Sequence, residues 1–316
     1  MLFLAAIATG ALVGALGLGE SAADLADAMV LLLVAAVFFT MPVDGLGALR
    51  RAPRTFATAI ALNFIAIPLL ALPLTMILPS EALRVGVLIY CLAPCTDWFL
   101  GFTRVAGGDV ATAGALIPVQ MILQLALYPV WLSLFAGEGV GWLPQTAGTT
   151  LLIWFVLPAG VGFAARAIVP RRRRAESVRV VDAWIPWIIA LVIVSIFAGG
   201  ITTVFADPWA FSWVLLVVFV FFLATFVLGE AIARLFRLDH RAHALLTVTT
   251  SARNAPLMLA VTTVALPDQP IVQAAIVLGM LIEFPHLTAI THILRRRVDR
   301  RTPDARAAAD QALSRR

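Results

Sequence analysis

The chain contains no lysine; all 23 of its basic residues are arginine. Charged residues of both signs make up only 13% of its 316 positions, against about 25% in a soluble domain. That scarcity excludes a solvated globular fold of this size. Two cysteines, Cys91 and Cys95, are too few for a disulfide framework or a thiolate metal cage. No compact His/Cys/Asp motif, nucleophile elbow or phosphate-cradling glycine loop is present. An enzyme is therefore not expected, nor is a cofactor. What the chain has instead is apolar surface: 61% hydrophobic residues and a mean hydropathy of +0.98. This is the composition of an all-α polytopic membrane protein with little soluble mass.

A helical span needs about 20 apolar residues. Ten such stretches are read near 2–18, 27–43, 56–78, 84–105, 111–135, 147–167, 183–203, 209–233, 242–266 and 270–294, separated by segments of Gly, Pro and charge. The first has no basic n-region and no cleavage site, so it reads as a retained helix. Arginine placement tests the count. With the N-terminus inside, the cytoplasmic segments hold Arg50, Arg51, Arg54, Arg104, Arg166, Arg171 to Arg174, Arg179, Arg234, Arg237, Arg241 and every arginine from Arg295 onward. Only Arg84 falls outside, and Arg253 lies within a span. The positive-inside rule produces this asymmetry. Both termini are thus expected in the cytoplasm and the protein in the cell's inner (plasma) membrane. The basic balance reads as membrane orientation, with the tail near anionic lipid, and not as nucleic-acid binding.

The linker Pro170–Arg179 reads as the midpoint of two inverted five-helix repeats, a transporter architecture. The expected division is a first repeat over 1–169, a cytoplasmic Arg-rich linker over 170–182, a second repeat over 183–294 and a tail over 295–316. The span at 147–167 is assigned to the second repeat. Ala93-Pro94 in the fourth span recurs as Ala255-Pro256 in the ninth, 162 residues later, and Gln120 corresponds to Glu283 at an interval of 163. Proline removes a backbone donor, and irregular backbone survives in a membrane only when buried in protein or lining water. The fourth and ninth spans are therefore expected to be interrupted helices.

Asp97, Arg253 and Glu283 lie near the middle of apolar stretches. A charge at bilayer depth is costly unless paired or facing a cavity, so such residues mark a substrate or ion path. Asp97 and Arg253 have opposite signs and comparable depth. Either they pair and hold the crossing helices together, or Arg253 opens to bind an anion. Cys95 adds a soft ligand suited to As(III). Cys91, four residues earlier, would share its helix face and reads as a packing residue. A carboxyl removed from water holds its proton more readily, which makes Glu283 the candidate proton carrier, with His286 as a possible relay. Thr96, Ser251, Asn254, Gln120, Asn63 and Gln124 complete the polar candidates. Most tryptophans read as interfacial anchors.

At these residues the chain resembles the bile acid:sodium symporter superfamily, and within it the arsenite-efflux permeases found among bacterial arsenic resistance proteins. The resemblance covers nearly the whole chain and rests on Leu92-Ala-Pro-Cys-Thr-Asp97, Gly107-Gly-Asp109, Ser251-Ala-Arg-Asn254 and Leu281-Ile-Glu-Phe-Pro285. It implies a panel domain and a core domain, the fourth and ninth spans crossing as broken helices, and Cys95 and Glu283 as the functional pair. It also implies exchange of arsenite, or antimonite, for protons. The alternative is a sodium- or proton-coupled carrier of an organic anion. One departure matters: the stretch Arg253-Asn-Ala-Pro256 has no carboxylate where this family commonly has one. Arg253 would repel sodium or stand in for it, so protons are preferred to sodium as the coupling ion.

Overall fold

The computed structural model describes residues 2–17, 19–41, 46–95, 98–135, 156–206, 208–266 and 269–314. Among them the fold is all-helical, with no strand beyond one isolated bridge. In chain order the helices are α1 (Leu2–Ala15), α2 (Gly19–Thr40), α3 (Pro53–Thr75), α4 (Glu81–Leu92), α5 (Phe99–Val105) and α6 (Val110–Phe135). They continue as α7 (Leu157–Ile168), α8 (Arg171–Ala206), α9 (Pro208–Leu235), α10 (His240–Ser251), α11 (Ala255–Ala265) and α12 (Pro270–Ser314). Among the described residues, five stretches are long and apolar enough to cross a membrane: Pro53–Thr75, Val110–Tyr128, Arg171–Ser195, Pro208–Leu235 and Pro270–Arg297.

Helix boundaries follow local chemistry. Ser80 accepts a hydrogen bond from the Leu83 amide and starts α4; Asp239 does the same for α10 through Ala242. Proline at position 94 restricts Ala93 to extended backbone (φ −100, ψ 108), so α4 stops at Leu92. Asn254 caps α11, whose first turn carries Pro256. In α3, Pro68 cannot donate to the carbonyl four residues earlier. The helix widens into a π turn at Leu62–Ala66, where the Ile67 amide reaches back to Leu62 O.

Two packing groups result. Helix α8 lies against α1 and α2, and α2 against α7. The others pack around α12, which touches α4, α9, α10 and α11. The groups meet where α8 touches α12 and α2 touches α11. Backbone approach within the first group is close. A Cβ on Gly10 would lie 2.6 Å from Val194 O, and one on Gly162 would lie 2.4 Å from Ala35 O. Arg166 of α7 is buried and donates through Nη1 to Phe39 O (2.8 Å) and Met41 O (2.7 Å), satisfying carbonyls at the end of α2.

Two expected segments are helical. The Arg-rich segment 170–182 forms, from Arg171, the first turns of α8, and six of the expected spans precede it. Residues after 294 continue α12 without a break as far as Ser314. The start of the expected span at 147–167 lies outside the described residues.

Asp109 anchors the turn before α6. It accepts from the amides of Ala111 (3.1 Å) and Thr112 (3.3 Å) and from Thr112 Oγ1 (2.6 Å), with Arg241 at 3.9 Å. Partial burial disfavours its charge, but the bonds from Thr112 and Ala111 and the nearby guanidinium outweigh this and hold its carboxyl below the usual range. A depressed carboxyl contributes stability that is present above its ordinary pKa and lost as pH falls through the folded value. Thermal unfolding followed downward from about pH 5 should therefore lose stability more steeply in the wild type than in Asp109→Asn.

Candidate functional site at the helix crossing

The interruptions in the fourth and ninth spans meet. Residues Pro94 and Arg253 form an antiparallel bridge, made by Cys95 N–H to Ala252 O (3.1 Å) and Asn254 N–H to Ala93 O (2.9 Å). Two broken helices thus exchange backbone hydrogen bonds in the interior, which satisfies amides that a continuous helix would have used internally.

That exchange leaves carbonyls without their helical donors. In a helix, Cys91 O would accept from residue 95, Thr249 O from residue 253 and Thr250 O from residue 254. Those three amides instead bond Ala252 O, Glu283 Oε1 and Ala93 O. The Arg253 side chain takes up all three carbonyls. Its Nη1 donates to Cys91 O (2.9 Å), and its Nη2 to Thr249 O (2.9 Å), Thr250 O (2.6 Å) and Asn63 Oδ1 (2.9 Å). The π turn of α3 presents Asn63, whose Nδ2 donates to Ala59 O and Thr249 Oγ1. Every acceptor on the guanidinium among the described residues is a neutral oxygen, and the Phe221 ring lies 5.9 Å from its carbon.

Glu283, fully buried on α12, faces the same crossing. Its Oε1 accepts from Trp98 Nε1 (2.9 Å) and from the Arg253 amide (2.9 Å). Both donors have no lone pair to offer, so Oε1 is fixed as an acceptor. Its Oε2 meets the Tyr90 hydroxyl at 2.8 Å, and that hydroxyl also lies 3.1 Å from Gly279 O. A hydroxyl can donate or accept. With Glu283 ionised, Tyr90 donates to Oε2. With a proton on Oε2, Glu283 donates to Tyr90, whose own proton turns to Gly279 O. The arrangement can hold or release one proton at one oxygen without stranding a polar atom. Gly279 is needed for it, since a Cβ there would come within 2.8 Å of the Tyr90 ring.

The expected residues are distributed as follows. Cys95, Arg253, Asn254 and Glu283 come together at the crossing. Thr96 and Asp97 lie outside the described residues, and with them the Asp97–Arg253 pair. Ser251 is buried and 3.3 Å from Thr225 Oγ1. Gln120 donates to Thr249 Oγ1 (3.0 Å); its Oε1 and both polar atoms of buried Gln124 make no hydrogen bond among the described residues. His286 stacks on Phe222 (centroids 4.9 Å), and its Nε2 makes no hydrogen bond among the described residues. Cys91 and Cys95 do not share a helix face, because α4 ends between them; neither is in a disulfide. No group of three or more metal-binding side chains occurs among the described residues. Tyr90 and Trp98 were not expected. Trp98 in particular is no interfacial anchor but a donor to Glu283, packed on Phe284 at 4.9 Å. Tyrosine offers a signal: there are only two in the chain, and both hydroxyls are buried and partnered, Tyr128 with Thr262.

The model of the Sodium Bile acid symporter family matches residues 28–207, more than half of the chain. No curated protein matches it. The matched residues run from the second helix through the first broken span to the end of α8, and they include Tyr90, Cys95 and Trp98 of the crossing. With its apolar spans and its paired interruptions, the chain belongs to the sodium bile acid symporter family of membrane transporters.

Proposed function

We propose that the protein is an inner-membrane secondary transporter that exports arsenite, or antimonite, in exchange for protons. The observation that carries this reading is the placement of Cys95 and Glu283 on one crossing, a soft sulfur on the same two-bond bridge whose Arg253 amide holds the carboxylate. Arsenite near neutral pH is the uncharged trihydroxide. Its arsenic can exchange one hydroxyl for the Cys95 sulfur, releasing water, with no change in oxidation state. One thiolate gives reversible capture, and soft sulfur favours As(III) over hard cations. The oxygens and nitrogen of Gln120 and Gln124 that have no partner among the described residues are available to its remaining hydroxyls, with Thr96, Asp97, Ser251 and Asn254 as further contacts. Glu283 loads and releases the exchanged proton, and Arg253 keeps the crossing assembled.

In this reading the chain has ten spans in two inverted repeats, its Arg-rich ends facing the cytoplasm. Internal correspondences support the repeat. Gly10 packs α1 onto α8 as Gly162 packs α7 onto α2. Gln120 bonds Thr249 of the second broken span, as Glu283 bonds Tyr90 of the first. The group of α1, α2, α7 and α8 is the panel, which rocks against the rest to alternate access. The rival substrate is an organic anion held by Arg253.

Arsenite uptake into everted vesicles, with and without a proton gradient, tests this. The wild type should accumulate arsenite only with the gradient, and Cys95→Ser should lose most of that accumulation. A folded wild type that accumulates none would transfer the reading to the organic anion.

A further inference from the structure

The crossing builds a cation site and then fills it from within. Its carbonyls, Cys91 O, Thr249 O and Thr250 O, belong to the last turns of two half-helices, α4 and α10. Helix C-termini carry partial negative charge, and here the two ends converge. Asn63 Oδ1 adds a fourth neutral oxygen from α3. Hard cations such as sodium take oxygen ligands of this kind, and unwound carbonyls with half-helix C-termini commonly hold sodium in transporters. In this chain the position is taken by the Arg253 guanidinium, with no exposed surface and bonds of 2.6–2.9 Å to all four oxygens.

We infer that Arg253 is a tethered cation: it permanently occupies the place an exchangeable sodium ion would need, holds the two broken helices in register, and makes this member of a sodium symporter family independent of sodium. A free ion must bind before such a crossing is assembled and leave afterwards. A guanidinium on the same backbone does neither, so the crossing stays formed through the transport cycle, and coupling falls to Glu283. The inference rests on the transporter reading, and it holds for any substrate that Arg253 does not leave these four oxygens to bind.

The latent site is exposed by removing the tether. In purified protein, binding of radiolabelled sodium and thermal unfolding in sodium chloride against choline chloride are compared for wild type, Arg253→Ala and Arg253→Lys. The wild type should bind no sodium saturably and unfold at the same temperature in both salts. Arg253→Ala should unfold earlier in choline, bind sodium, and regain about 3 °C at a tenfold excess of sodium over its dissociation constant. Millimolar guanidinium should substitute for sodium. Arg253→Lys keeps the charge with fewer donors and should stay insensitive to sodium. Saturable sodium binding by the wild type overturns the proposal. So does a folded Arg253→Ala that neither sodium nor guanidinium stabilises. If Arg253→Ala is too unstable to purify in choline, its recovery in sodium supports the proposal, and recovery in neither salt overturns it. No arsenite is used, so failure of the substrate reading leaves this test intact.

Discussion

Glu283→Gln is expected to abolish proton-driven accumulation while leaving the fold and the melting temperature close to wild type. The reasoning is in the hydrogen bonds. The amide oxygen of glutamine can replace Oε1 and accept from Trp98 and the Arg253 amide. Its amino group then takes the place of Oε2 and donates to the Tyr90 oxygen, which turns its own proton to Gly279 O. Every bond of the protonated state is reproduced, so no buried polar atom is stranded and the cost to stability is small. What is lost is the ability to release the proton. A carrier that cannot exchange this proton has nothing to couple, so uptake with the gradient should fall to the level seen without it. Uptake that survives with its dependence on the gradient unchanged would remove Glu283 from the coupling path.

The largest loss of stability is expected for Arg253→Met. Methionine is of similar length and apolar, so it fills much of the space without overpacking. It offers no donor to Cys91 O, Thr249 O or Thr250 O, whose helical donors are committed elsewhere in the crossing. A buried acceptor left unpaired costs about 1–3 kcal/mol. Three such carbonyls interact and do not add simply, so a loss of at least about 3 kcal/mol is expected. Thermal unfolding in sodium-free buffer reads it. A melting temperature within a degree of wild type would mean that these carbonyls find other partners, and that the guanidinium is not what satisfies them.

How much of this was legible in the sequence depends on the kind of signal. The membrane class and the helices follow from apolar length, which survives any detail of packing. The two interruptions were legible because Pro94 and Pro256 stand beside polar residues in otherwise apolar runs. Glu283 was legible as a carboxylate in such a run. The role of Arg253 was legible only as alternatives. The Asp97 pair offered by sign and depth lies outside the described residues; the acceptors found among the described residues are Asn63 Oδ1 and three backbone carbonyls, which every residue carries and no sequence marks. Trp98 and Tyr90 were missed for a related reason: an aromatic residue in a membrane span is usually packing or an anchor, and only the placement of Glu283 converts them into donors. The shared helix face of Cys91 and Cys95 failed because it assumed a helix through Pro94, although the proline that ends α4 was already in view. The segment 170–182 was legible as charge at a membrane boundary but not as helix, although Arg171 to Arg174 are good helix formers that start α8.

The π turn of α3 makes the position of Asn63 depend on chain length as well as on composition. Such a turn takes one residue more than an α-helix requires. Excising a single residue between Leu62 and Ala66 would restore regular winding and leave a plausible membrane span, but it would swing the residues on one side of the cut by about 100° relative to the other. Asn63 would then turn away from Arg253 toward lipid or a neighbouring helix. A sequence one residue shorter here would look unremarkable by composition, yet would lack the only side-chain oxygen among those found on the guanidinium. The spacing of this helix, and not merely its hydrophobicity, therefore decides whether Asn63 reaches the guanidinium.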